Sequence, residues 1–192
     1  MSVLDDAPHV HADDRATWRA WLEANHATAR GAWLVTWRSR SGRVGLDYEA
    51  AIEEALCFGW VDSTGGHVDD ERGKLYFAPR KPRSVWAASN KARVERLIGE
   101  GRMAPAGLAA IERAKANGSW EILDAVERLE IPEDLAAALE VRPPAAVNFA
   151  AFPPSARKMM LGWVALARRP ETRAVRITKI AEAAARNERA TG

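Results

Sequence analysis

The sequence predicts an α+β protein in which a small antiparallel sheet is packed by helices and followed by a helical C-terminal part. Three observations carry that prediction. Residues 32–37, Ala-Trp-Leu-Val-Thr-Trp, form a run of aromatic and β-branched types that suits a pleated surface and ends at turn residues 39–42. Residues 60–78 hold two short apolar runs around a Gly-, Ser- and Asp-rich turn, the pattern of a hairpin. Beyond Pro82, apolar residues recur at three- and four-residue spacing almost to the end of the chain.

In chain order, residues 9–14 read as a polar lead-in. Trp18, Trp21 and Leu22 then mark an amphipathic helix with Asp13 or Asp14 as its cap. After the first strand, Asp47 can cap a helix carrying Tyr48, Ile52, Ala55 and Leu56 on one stripe, with Gly59 placed to end it. Ser84 is the cap candidate for a helix with Val94, Leu97 and Ile98 on its apolar stripe. Pro105 suits the start of the next, which carries Leu108, Ile111 and Ala114 and stops at Gly118. Short helices are expected at 132–140 and 144–150, longer ones after Pro153-Pro154 and after Pro170, and a frayed tail from Asn187. The Pro-rich ground near residue 131 marks the expected boundary between an α+β domain (1–130) and a helical extension (131–192).

Composition narrows the function classes. A chain of 192 residues that is 47% hydrophobic can bury a core, and eight Trp supply large apolar surfaces that pack a core or line a cleft. A formal charge of +2 exerts no strong field on nucleic acid or anionic membrane, so anion binding would need a local cluster. The single cysteine, Cys57, rules out an internal disulfide. The acidic start, Met1 to Asp6, lacks the basic and apolar segments of a secretion signal, and no stretch reaches membrane-spanning length. The expected location is the cytoplasm.

Two stretches stand out: Cys57-Phe58-Gly59-Trp60-Val61-Asp62, and Tyr76-Phe77-Ala78-Pro79-Arg80-Lys81-Pro82-Arg83-Ser84-Val85-Trp86. Here the chain resembles the YdeI/OmpD-associated (bacteriocin-protection) family, in which a helix ends in Phe-Gly-Trp-Ile/Val-Asp and a strand runs into Pro-Arg-x-Pro-Arg-Ser-x-Trp. The likeness extends through residues 94–98 and 101–107, Asn117-Gly118-Ser119-Trp120, and residues 169–177. The resemblance implies protection against bacteriocins or association with an outer-membrane porin. It implies no reaction and no catalytic residues.

The residues themselves suggest an anion site. Arg80, Lys81 and Arg83 fall between a strand and a helix whose first turn offers free N–H groups and a positive dipole end. Arg presents a planar fork to carboxylate or phosphate, and Trp60, Tyr76 and Trp86 could stack on a ligand. Trp60, Asp62, Tyr76, Arg80, Lys81, Arg83, Ser84 and Trp86 are therefore the candidate ligand-binding residues. The competing structural reading has Pro79 and Pro82 setting a turn, the charges solvated or paired with Asp62, and Trp86 in the core.

Asp62, His67, Asp69 and Asp70 are of the types used in metal or acid/base sites, and Ser63 could be a nucleophile if a base reached it. A hairpin turn is rich in such residues for conformational reasons alone. His9 and His11 read as incidental, Cys57 as a buried apolar residue, and Met159, Met160 and Trp163 as core. Arg168, Arg169, Arg173, Arg176 and Lys179 form a basic group diluted by Glu171 and Glu182, and no nucleic-acid-reading motif accompanies it. No Gly-rich phosphate loop or paired-Cys pattern calls for a cofactor or metal. The expected function is non-enzymatic binding of a small anionic ligand or a partner segment. The alternatives are a hydrolase-like enzyme centred on Asp62 and His67, or weak nucleic-acid binding through the basic C-terminal helix.

Overall fold

A computed structural model describes Leu4 and residues 6–190. The reading of residues 1–6 as lacking a secretion signal lies outside them, Leu4 and Asp6 apart. The chain divides into two compact units: one runs through Ser84 and resumes at Ser89–Ser119, and the other combines Val85–Ala88 with the chain from Trp120 onward. Among the described residues, no helix is long and apolar enough to cross a membrane.

The first unit is built on a four-stranded sheet of order β1-β2-β4-β3, with β1 at His9–His11, β2 at Ala32–Trp37, β3 at Trp60–His67 and β4 at Arg72–Pro79. The expected hairpin is β3–β4, and β2 also pairs antiparallel with β4. The fold class is α+β, as the sequence predicts, but the sheet is mixed rather than wholly antiparallel. Residues 9–11, expected in a polar lead-in, form an edge strand parallel to β2, with Val10 opposite Leu34. A three-residue edge strand carries too short an alternation to be distinguished from loop by periodicity.

Register and alternation divide the side chains between the two faces of the sheet. Ala32, Leu34, Leu75 and Phe77 share a face with Trp60 and Asp62, whereas Trp33, Val35, Lys74 and Tyr76 lie on the other. The first face is covered by α1 (Arg15–Asn25) and α2 (Tyr48–Cys57). Trp18 is fully buried, lies 5.3 Å from Phe77, and donates its indole N–H to the Ala51 carbonyl at 3.2 Å, which ties α1 to α2. Both helices start at an aspartate: Asp14 accepts from the Thr17 N–H at 2.7 Å, and Asp47 from that of Ala50 at 2.8 Å. Asp47→Ala is expected to cost about 1 kcal/mol, measured as a shift of the urea unfolding midpoint.

Two further helices complete this unit, α3 (Ala88–Gly99) and α4 (Pro105–Ala116). The proposed cap for α3 is corrected: Ser84 lies four residues before the helix, with its N–H bonded to the Lys81 carbonyl at 2.9 Å. Pro82 favours that turn, which draws Ser84 away from a capping position. The stripes are also narrower than their spacing suggests, since Tyr48, Ile98 and Leu108 are exposed.

The second unit is helical: α5 (Asp124–Glu127), α6 (Glu133–Glu140), α7 (Ala145–Ala151), α8 (Pro154–Ala165) and α9 (Pro170–Ala185). Leu135, Leu139, Phe149, Met160, Val164, Ile180 and Ala184 make its core. The tail is not frayed as far as Ala190, which packs against this core. Met160 is buried as expected, whereas Met159 is 49% exposed and Trp163 only half-buried.

Candidate functional site

The loop after β4 is pinned by three hydrogen bonds. The Arg80 N–H donates to the Gly59 carbonyl at 2.9 Å, the Ser84 N–H to the Lys81 carbonyl, and Asn117 Nδ2 to the Pro82 carbonyl at 2.6 Å. Gly59 can serve here because its φ is +73°, a conformation that side chains disfavour. The first and third of these bonds each join two of the sequence motifs, so residues 80–84 are held by the end of α2 and the end of α4, and the second closes the turn within the loop.

Within this loop Arg80 is buried, and Lys81 and Arg83 are exposed. Burial pushes the Arg80 guanidinium down to about 10, against the opposing pull of the Asp62 carboxylate. Asp62 in turn accepts a hydrogen bond from the Tyr48 hydroxyl at 3.1 Å. Partial desolvation first, and Asp62 second, raise the phenol of the otherwise exposed Tyr48.

The other candidates are placed differently. Trp60 is buried beside Trp21, at 5.8 Å between ring centroids, and donates to the His26 carbonyl. The gap bounded by Ile52, Leu56, Trp60, Asp62 and Phe77 has no room for a water-sized body. Tyr76 is buried on the opposite face of the sheet, edge-on to Trp33. Trp86 is buried in the second unit, where its ring lies 5.0 Å from Trp120. The cluster brought together in the first unit is thus Asp62 and Arg80 with Tyr48, beside Lys81, Arg83 and Ser84.

The acid/base candidates do not converge. Asp62 pairs with Phe77 and His67 with Gly73, five residues further along β3, which separates them by roughly 15 Å at ordinary strand rise. Asp69 closes the hairpin turn by accepting the N–H groups of Glu71 and Arg72 and the Arg72 guanidinium. Among the described residues, no three His, Cys, Asp or Glu side chains could share a metal ion. His9 stacks on Trp33 and lies 3.0 Å from Lys74 Nζ. Cys57 is buried, and burial raises its thiol, which keeps it in the unreactive form. On α9, Arg173 is engaged bidentately by Asp134, which interrupts the basic stripe.

The sequence reading missed the principal electrostatic feature of this unit. Glu53 and Glu54 on α2 are buried and meet Arg15, Arg19, Arg96 and Arg102. Burial alone would raise Glu53, but the hydrogen bonds from Arg96 and Arg15 outweigh it and hold the carboxyl below its ordinary range. A signal existed: α2 is otherwise apolar from Ala50 to Cys57, and adjacent acids in a helix buried all round require cationic partners.

Fold and side chains define an α+β sheet unit and a helical unit, with a cationic loop held at the end of the sheet. Residues 10–110, more than half of the chain, match the family described as Domain of unknown function (DUF8412), and the chain belongs to it. Residues 128–187 match the family described as Bacteriocin-protection, YdeI or OmpD-Associated. The YdeI/OmpD-associated likeness is therefore found in the C-terminal part, where the motif at 169–177 falls, whereas those at 57–107 lie inside the other match. The chain matches no curated protein and no solved structure.

Proposed function

We propose that this chain is a binding protein of the bacteriocin-protection type that holds a small anion, or an acidic segment of a partner, at the loop formed by Arg80, Lys81, Arg83 and Ser84. The observation that carries the reading is the buried Arg80 beside two exposed cations on a loop fixed by three hydrogen bonds. A desolvated guanidinium favours an anion strongly, and a pre-set loop spends little entropy on binding one. Asp62 already acts on Arg80, so a bound anion would share this guanidinium rather than own it. Trp60, Tyr76 and Trp86 support the reading as packing residues, not as stacking surfaces, because all three are buried.

Binding is favoured over catalysis because the acid and base candidates on β3 lie far apart. Work in the cytoplasm belongs to the same proposal, supported by the lone buried thiol and the lack of any disulfide framework. Residues 1–130 and 131–192 would then act as binding domain and family-specific extension.

The test is thermal unfolding of the protein against phosphate, pyrophosphate, citrate and nucleotides, repeated with Lys81→Ala/Arg83→Ala. Both side chains are exposed, so the variant should fold. An anion that raises Tm in the wild type is expected to lose most of its effect in the variant. Equal Tm gains in the two proteins would remove this loop from the function.

A further inference from the structure

We propose that the helical unit binds a single-chain anionic amphiphile, with its apolar chain in the cavity beside Trp163 and its carboxylate at Arg176 and Lys179. The cavity measures about 570 Å³ and is lined by Leu123, Met159, Met160, Trp163 and Leu166, with the Lys158–Glu127 ion pair also in its wall. That volume falls within the roughly 300–1,000 Å³ of small-molecule sites. Two of its apolar side chains lie about half in water, Met159 at 49% and Leu166 at 46% exposure, although helical spacing predicts Met159 in the core. An apolar hollow rimmed by exposed apolar side chains gains free energy when an apolar body displaces its water.

The second observation concerns charge. Arg176 Cζ lies 5.3 Å and Lys179 Nζ 6.0 Å from the Trp163 ring centroid, and Arg176 also donates to the Trp163 carbonyl at 2.5 Å. Their basic neighbours are neutralised, Arg173 by Asp134 and Lys158 by Glu127, whereas Arg176 and Lys179 have no carboxylate partner among the described residues. Two like charges gathered at one ring repel each other, and a carboxylate placed between them reverses the sign of that interaction. Trp163 therefore both lines the apolar hollow and lies beside two cations that lack a carboxylate partner among the described residues. A neutral amphiphile would satisfy only the hollow, and a cationic one would be repelled.

The test is calorimetric titration of the full chain with decanoate and with decyltrimethylammonium, both below their micellar concentrations, and with the variants Lys179→Ala, Arg176→Ala/Lys179→Ala and Trp163→Phe. Decanoate is expected to bind the wild type and the ammonium detergent not to. Affinity for decanoate should fall roughly tenfold or more in the double variant, the loss expected of charge-assisted contacts. It should fall by less in Lys179→Ala, whose exposed side chain can be removed without touching the core. The change in Trp fluorescence on adding decanoate should disappear in Trp163→Phe. Absence of decanoate binding, equal binding of the two detergents, or undiminished affinity in the double variant would each overturn the proposal.

Discussion

Gly107→Ala is expected to destabilise the sheet unit by about 3 kcal/mol, at the upper end of overpacking changes. A Cβ on residue 107 would lie 2.2 Å from the Cys57 carbonyl oxygen and 2.8 Å from its carbon. Those are backbone atoms at the end of α2, so no side-chain rotation relieves the clash, and α4 would have to move off α2. The same crossing is tight at Gly59, where an added Cβ would meet Ala110 and the Ala106 carbonyl at 3.0 and 3.1 Å. Because the carbonyls of Gly59 and Cys57 accept the N–H groups of Arg80 and Ala104, separation of these helices would also loosen the cationic loop. Urea unfolding measures the effect, with Gly99→Ala as control. Its Cβ meets nothing within 4 Å, so it should be neutral or slightly stabilising. Equal midpoints for Gly107→Ala and wild type would show that the two helices do not cross this closely.

The second large effect is expected at the buried carboxylates. Breaking a fully buried ion pair costs about 3–5 kcal/mol. Here the carboxylates of Glu53 and Glu54 are buried, but the side chains of Arg15, Arg19, Arg96 and Arg102 are 26–45% exposed. Cations left behind can rehydrate, so Glu53→Gln should lose about 2 kcal/mol rather than the full amount. The sign of the pH dependence follows from the lowered Glu53 carboxyl. A depressed folded-state value contributes stability that is fully present above the ordinary glutamate value of 4.5 and is lost as pH falls through the folded value. Urea midpoints for wild type and Glu53→Gln should differ most at pH 6–7 and converge as the pH is lowered below about 4. A gap that stays constant down to pH 3 would mean that ionisation of Glu53 contributes nothing to folding.

Much of the secondary structure was legible because it is encoded locally. The alternation and β-branched residues of 32–37, the Gly- and Asp-rich turn between β3 and β4, the aspartate caps of α1 and α2, and the Pro starts of α4, α8 and α9 act over a few residues. The cationic loop was legible in the same way, as a Pro-bounded run of Arg and Lys. The candidate cluster was legible only in part. Trp60 and Tyr76 look like stacking residues until the register places them on opposite faces of the sheet, and Asp62 and His67 look adjacent until five residues of extended strand separate them.

By itself, then, the sequence determined the α+β class, most element positions and the concentration of charge at residues 80–83. These follow from dihedral preference, period and composition, all of which are short-range. Only the tertiary structure decided that His9–His11 joins the sheet, that Ser84 lies short of its helix, that four arginines converge on Glu53 and Glu54, and that Met159 stays in water beside Trp163. The sheet edge and the arginine–glutamate cluster depend on which residues meet across tens of positions of chain, and burial and charge pairing are properties of that meeting rather than of any one segment.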